Sequence, residues 1–386
     1  MDLKRELKNK NDKINAVRNG QIIDYSSLDQ VYVGTISLGT PLQDINVAFD
    51  TESGILWVPD NNCPCAEECS IEALCYDLCS PHCCSQKDNT TTLLEDLASE
   101  LNAVCTNKNV YNPKTSSSYI SRRKQLDQSF LEDNITVNLA YETVRLGPHH
   151  TGAFTTKFLA FGHVSDLPEP YDNAAFDGVF GIGRAGPNGE KAPIKQLAEK
   201  RVISSAVVTI SLSDTEDEAS FYDGVLSIGQ VDQSLCSFGS KNFVPVASSD
   251  RWNFRVFTAV LNSTKFSDLT WTARVDPSTP YIHIPKKIFD KLRPEFTYVA
   301  ENDRYTVERS TGLKMFGEFR ISIGNTTPLI SSKKVLIGAG SELEVLVRPS
   351  VDGDDSWVLG RPFLRGRCAA LDYDGRIGLA VLDSST

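Results

Sequence analysis

The chain has 386 residues, of which 40% are hydrophobic and 23% charged, and its formal net charge is −11. That composition supports a large packed core rather than disorder, and the acidic balance argues against the basic face that nucleic-acid binding requires. No apolar run approaches the length of a membrane span, so neither a nucleic-acid nor a membrane partner is expected.

Residues 1–23 are polar and basic, with Lys4, Arg5, Lys8, Lys10, Lys13 and Arg18. They carry no apolar stretch of the kind found in a signal peptide, and they read as a solvated arm or frayed helix. From Val31 the character changes. Residues 31–38 read as a strand ended by Gly39 and Pro41, and residues 45–49 alternate apolar and polar as a half-buried strand does. Many short strands with turn residues follow, and helical patterns are few, with 191–201 and 286–292 the best. The fold class expected is mostly β.

Residues 61–125 interrupt this rhythm. Eight of the ten cysteines lie between Cys63 and Cys105, with a short helical pattern over 93–101. The segment reads as an insertion clamped by its own disulfides. Its spacings are not those of a zinc ribbon, and no metal is expected. Eight cysteines allow 105 connectivities, and the sequence chooses none. Sequons at Asn89, Asn134, Asn262 and Asn325, with the dense cysteine, favour an oxidising compartment, hence a secreted or lumenal protein of the extracellular or endolysosomal space.

A faint internal repeat runs through the rest. Val47-Ala-Phe-Asp50-Thr51-Glu52-Ser53 precedes an apolar stretch containing Trp57 and ending at Pro59, and Ala273-Arg-Val-Asp276-Pro277-Ser278-Thr279 precedes one ending at Pro285. Residues 180–183 (Phe-Gly-Ile-Gly) and 357–360 (Trp-Val-Leu-Gly) form a second matched pair. Two copies of one unit, each offering one aspartate, predict two lobes about a pseudo-twofold axis. The expected division is an arm over 1–23, an N-terminal lobe over 24–210 with its insertion at about 61–125, and a C-terminal lobe over 211–386. Cys236 and Cys368 stand apart in the second lobe and are expected to pair there. The five histidines, His82, His149, His150, His163 and His283, form no metal or triad spacing and read as surface or loop residues.

These motifs, together with residues 357–365 and 371–380, resemble the pepsin family of aspartic proteases over roughly residues 24–383. The resemblance implies a bilobal fold with a central cleft that takes peptide or protein, no cofactor, a monomeric state, and Asp50 and Asp276 as a catalytic dyad sharing one proton across a water. The same resemblance marks departures. Family loops read Asp-Thr/Ser-Gly, whereas here Glu52 and Ser278 replace the glycines and Pro277 replaces the hydroxyl residue. Thr51 keeps its hydroxyl, but Pro277 offers neither hydroxyl nor N–H, and losing such buried partners costs about 1–3 kcal/mol each. A third carboxylate, Glu52, at about 4 Å from the pair would add on the order of 4 kcal/mol of repulsion at an effective dielectric near 20. The stretch matching the family's flap hairpin is 130–136, where Phe130 keeps the ring without the hydroxyl and Asn134 begins a sequon. Ser53, Trp57 and Thr279 fit the family. Residues 1–22 also match the place of the tail of a basic prosegment. The expectation is a preserved scaffold with eroded chemistry, a pseudo-protease kept for binding. The alternatives are a working acid endopeptidase and an interaction protein that acts through its insertion. Gly181, Gly183 and Gly186 also match a dinucleotide fingerprint, but without a βαβ context around it.

Overall fold

The computed structural model describes residues 2–7, 30–84, 103–130, 133–147, 154–214, 222–338, 340–351, 353 and 355–383. The chain divides into two compact units, the first running to Ser204 and the second beginning at Ser205 apart from a single N-terminal residue. No helix among the described residues is long and apolar enough to cross a membrane.

In the first unit the strands are β1 (Asp2–Leu7), β2 (Gln30–Leu38), β3 (Gln43–Asp50), β4 (Leu56–Pro59), β5 (Ile120–Phe130), β6 (Asp133–Leu146), β7 (Thr155–Val164) and β8 (Gly178–Gly181). They hydrogen-bond in the order β1-β2-β3-β8-β4-β7-β6-β5, and β2 also pairs with β6, so the sheet returns on itself. Strand β3 shows the alternation read from its sequence only over 45–47, with Ile45 and Val47 buried and Asn46 exposed; Ala48 and Phe49 are both buried, because β3 is covered on both faces there. Residues 2–7 correct the expectation of a solvated arm or frayed helix, because β1 pairs antiparallel with β2, Lys4 opposite Val33 and Leu7 opposite Gln30. The open edge of β2 offers unpaired backbone groups that any extended segment can satisfy, whatever its side-chain charge.

The insertion is smaller than the sequence suggested. Residues 120–125 belong to the long hairpin β5–β6. Val104 and the Cys63–Cys105 disulfide are buried in the same core cluster as Trp57, Val137 and Val179. Three further bridges, Cys65–Cys83, Cys69–Cys79 and Cys75–Cys84, staple the described part, whose short helices are Glu72–Leu78 and Pro81–Cys84. The segment after Cys105 is tied to β6 by buried Glu142, whose carboxylate accepts from Tyr111 Oη at 2.5 Å, Ser116 Oγ at 2.8 Å and Ser118 Oγ. Buried Lys108 donates to the Ala174 carbonyl and lies over the Tyr171 ring. The helical pattern at 93–101 falls outside the described residues, as do Asn89, His149 and His150.

The second unit contains a five-stranded sheet of segments 253–255, 272–275, 356–359, 282–284 and 347–349, in that order. The predicted helix Lys286–Leu292 is present, while the pattern over 191–201 yields the shorter helix Pro193–Glu199 in the first unit. Cys236 and Cys368, both fully buried, form a disulfide. Asn262 and Asn325 are exposed in this unit, as Asn134 is in the first.

The internal repeat is visible in how each unit threads one strand beside a loop. Strand β8 runs parallel to β3, with Asp50 opposite Gly181, and antiparallel to β4. Segment Ser356–Leu359 likewise runs parallel to Thr272–Val275 and antiparallel to Ile282–Ile284. A methyl group on Gly181 would lie 2.4 Å from the carbonyl oxygens of Ser53 and Ile55, and one on Gly360 would lie 2.1 Å from that of Tyr281 and 2.6 Å from that of Thr279. The glycines are therefore there for close backbone passage, which also accounts for the apparent dinucleotide fingerprint at 181–186. Gly360→Ala is expected to lower unfolding stability by about 3 kcal/mol or more through backbone overpacking. Gly340→Ala, where the nearest atom is 3.9 Å away, should change it little; denaturant midpoints for the two variants check this.

Candidate functional site

Asp50 is the last residue of β3 and is partly exposed. The chain turns back around its carboxylate: Glu52 N–H donates to Oδ1 at 2.8 Å and Ser53 N–H donates to Oδ2 at 3.1 Å. Thr51 and Ser53 are buried, and Glu52 is exposed. Gly183 N–H donates to the Ser53 carbonyl at 2.7 Å, so the threaded segment fixes the loop from below.

Trp57 on β4 is buried, and the Phe130 ring meets it edge-on at 4.8 Å. Phe130 ends β5 and also stands edge-on to Tyr171 and Phe176. The tip of this hairpin is thus held by an aromatic cluster in which no phenol takes part at position 130, and exposed Asn134 lies just beyond it on β6.

Asp276 follows segment Thr272–Val275 of the second unit, and its N–H donates to the Leu359 carbonyl at 3.2 Å. Ser278 donates to Oδ1 twice, from N–H at 2.9 Å and from Oγ at 2.5 Å. The wrap resembles that of the first loop, with Pro277 buried and Ser278 exposed. Thr279 Oγ1 accepts from the Tyr281 N–H at 3.3 Å, and Arg361 N–H donates to the Thr279 carbonyl at 3.0 Å.

One further residue changes the chemistry of this loop. Arg274 Nη1 donates to Asp276 Oδ2 at 2.6 Å, and both side chains are only 10% exposed. Successive side chains of an extended strand alternate in direction, so positions 274 and 276 share a face. A guanidinium stays protonated in proteins, so this carboxylate oxygen faces a permanent cation. The sequence reading passed over Arg274. Its signal was an arginine two residues before the aspartate, between the apolar Ala273 and Val275.

The three histidines among the described residues also depart from the sequence reading, which placed them on the surface or in loops: His82 lies partly buried in the short helix Pro81–Cys84. His163 lies on β7, and its Nδ1 is 2.6 Å from Oδ2 of Asp60, which is 1% exposed and follows β4. His283 lies on strand Ile282–Ile284, with Nδ1 3.0 Å from the Pro349 carbonyl. The latter two rings are held because a strand position facing neighbouring strands must satisfy its polar atoms. Among the described residues, the sets Cys65, His82, Cys83 and Cys69, Cys75, Cys79 have metal-ligand spacing, but every cysteine in them is in a disulfide.

Two predictions follow from these contacts. Removing one partner of a buried ion pair strands the other charge, at a cost of about 3–5 kcal/mol. Asp276→Asn is therefore expected to destabilise the protein strongly, and Arg274→Met combined with Asp276→Asn to recover much of the loss; a double-mutant cycle by chemical denaturation reads the coupling. At Asp60, burial pushes the carboxyl up, but hydrogen bonds from His163, the Asn62 N–H and Ser165 outweigh it and hold it below its ordinary value of 3.8. Its contribution is then present above pH 3.8 and lost as the pH falls through the lower folded value. Asp60→Asn should flatten the acid limb of stability against pH, as followed by thermal melts.

A family model described as eukaryotic aspartyl protease matches residues 31–382. Aspartic protease 2 from Necator americanus is 24% identical over 378 residues, covering 94% of this chain and 85% of its own length. Aspartic protease 10 from Caenorhabditis elegans is 23% identical, covering 98% of this chain and 89% of its own length. Pepsin A from Bos taurus is 27% identical over 363 residues, covering 92% and 84%.

Proposed function

The chain belongs to the eukaryotic aspartyl protease family, and we propose that it is a member whose peptide hydrolysis is weak or lost and which serves as a secreted peptide- or protein-binding protein. The observation that carries this reading is the buried ion pair of Arg274 with Asp276. Hydrolysis of the kind the family resemblance implies needs two carboxylates that share a proton and exchange it with water. With Ser278 on Oδ1 and Arg274 on Oδ2, both oxygens of Asp276 accept short hydrogen bonds. Three of the roughly four acceptor sites of this carboxylate are so filled, and the bond to the guanidinium is charge-assisted, a kind roughly twice as strong as neutral ones.

Pro277 adds to this. It has no N–H to brace a neighbouring loop, and catalysis responds to small misplacements of reacting groups. The exposed Glu52 does not bury a third carboxylate in its loop, so the loss of function is assigned to the Asp276 loop rather than to the Asp50 loop. Secretion is supported by the pairing of all ten cysteines in five disulfides, the state expected of an oxidising compartment.

A working acid endopeptidase using Asp50 and Asp276 is the second reading, and it is favoured by the matched turns that place a backbone N–H on each aspartate. Hydrolysis of a broad peptide library, scanned from about pH 3 to about pH 7 with Asp50→Ala as the control, separates the two. The expected result is no turnover by the folded protein above that control. Turnover that peaks in acid and vanishes in Asp50→Ala would establish the endopeptidase instead. Peptide retention without cleavage, measured on the same library, would complete the binding assignment.

A further inference from the structure

Where the insertion meets the rest of its lobe there is a cavity of about 320 Å³, within the size range of ligand pockets. One wall comes from the end of the helix Glu72–Leu78 and another from residues 172–177, and residues 107–109 complete it. Covalent and polar contacts fix these walls. The Cys69–Cys79 and Cys75–Cys84 bridges hold the helix, and Lys108 donates to the Ala174 carbonyl.

The charged side chains that line the cavity are three carboxylates and one ammonium. The ammonium belongs to Lys108, which is 4% exposed and is already engaged by the Ala174 carbonyl and the Tyr171 ring. Asp177 is buried and occupied. It accepts from the N–H groups of Asn46 at 2.9 Å and Asn109 at 3.0 Å, and from Asn109 Nδ2 at 2.8 Å. Asp77 and Asp172 are exposed, and neither forms an ion pair among the described residues. Burial pushes the Asp172 carboxyl above its ordinary value of 3.8, and Lys108 offsets this only in part. The lining is therefore short of positive charge. It also has an apolar side, made by Leu78, which is 51% exposed, and by partly buried Phe176.

We propose that this cavity binds a primary ammonium at the end of a short aliphatic chain, the group carried by a lysine side chain or a free alkylamine. The chain lies against Leu78 and Phe176, and the ammonium takes its place among the carboxylates, as long cationic side chains divide their apolar stem from their charged head. An ammonium has three donors and no acceptor, which suits the unpaired carboxylates of Asp77 and Asp172. An anion would meet an excess of negative charge, and a neutral alcohol would leave that charge uncompensated. None of the lining residues belongs to the Asp50 or Asp276 loop, so the site stands whether or not the chain hydrolyses peptides.

The test titrates butylamine, and separately a lysine blocked at both its amino and carboxyl ends, into the folded full-length protein near neutral pH. Butanol serves as the neutral control, and ligand-observed NMR reads binding. At least one amine is expected to bind more tightly than butanol, and added salt should weaken that binding. Asp77→Asn and Asp172→Asn, both at exposed positions, should each weaken it about fivefold, the effect of a partly exposed charge pair. Asp374→Asn, an exposed carboxylate of the second unit, should leave it unchanged. Binding of the blocked lysine assigns the site to a lysine of a protein partner, and binding of butylamine alone assigns it to a free amine. Failure of both amines to bind, butanol binding as tightly as butylamine, or wild-type affinity in folded Asp77→Asn and Asp172→Asn would overturn the proposal.

Discussion

The structure of each unit depends on a backbone passing where no side chain fits. Gly181 lies against the carbonyls of Ser53 and Ile55, and Gly360 against those of Thr279 and Tyr281. Close passage on this scale is open only to glycine. It locks the threaded strand to the loop that carries the aspartate and to the strand after that loop. In consequence Asp50 and Asp276 hold their places through main-chain geometry, with N–H donors from their own turns. Residues at the loop surface are then free to vary. Glu52 and Ser278 stand where the family resemblance places glycine, yet both loops keep their wrap because the constraint lies beneath them.

That division between scaffold and chemistry explains how one arginine can matter. Arg274 shares a strand face with Asp276 and needs no backbone change to reach it. A buried ion pair contributes little net stability compared with apolar packing, but it is costly to break once present. On the proposed reading, Arg274 changes what the carboxylate can do without altering where it is. The family membership and the fold are properties of the scaffold. The proposed loss of hydrolysis is a property of this single contact, reinforced by Pro277.

The insertion is part of its lobe's core as well as an appendage. Cys63–Cys105, Val104, Lys108 and Tyr111 are all buried, and Glu142 ties the following segment back to β6. Four bridges lie within the span 63–105, the usual role of disulfides being to staple a segment whose core is small. One of those bridges, Cys65–Cys83, lies against the half-buried His82.

The sequence by itself determined the strand-rich character, the helix Lys286–Leu292, the matched loops at Asp50 and Asp276, and the glycines that follow them. These are written in local periodicity, in turn residues and in a repeated motif, all of which act over a few neighbouring positions. Tertiary structure decided the rest: the pairing of residues 2–7 with β2, the end of the insertion before Ile120, the connectivity of eight crowded cysteines, and the partners of Asp60 and His82. Even Arg274, only two positions from Asp276, read as one more strand residue until the strand face was known. Each of these contacts joins groups whose meeting is set by sheet register and packing, and a charge or a sulfur in the chain does not name the partner that the fold will bring to it.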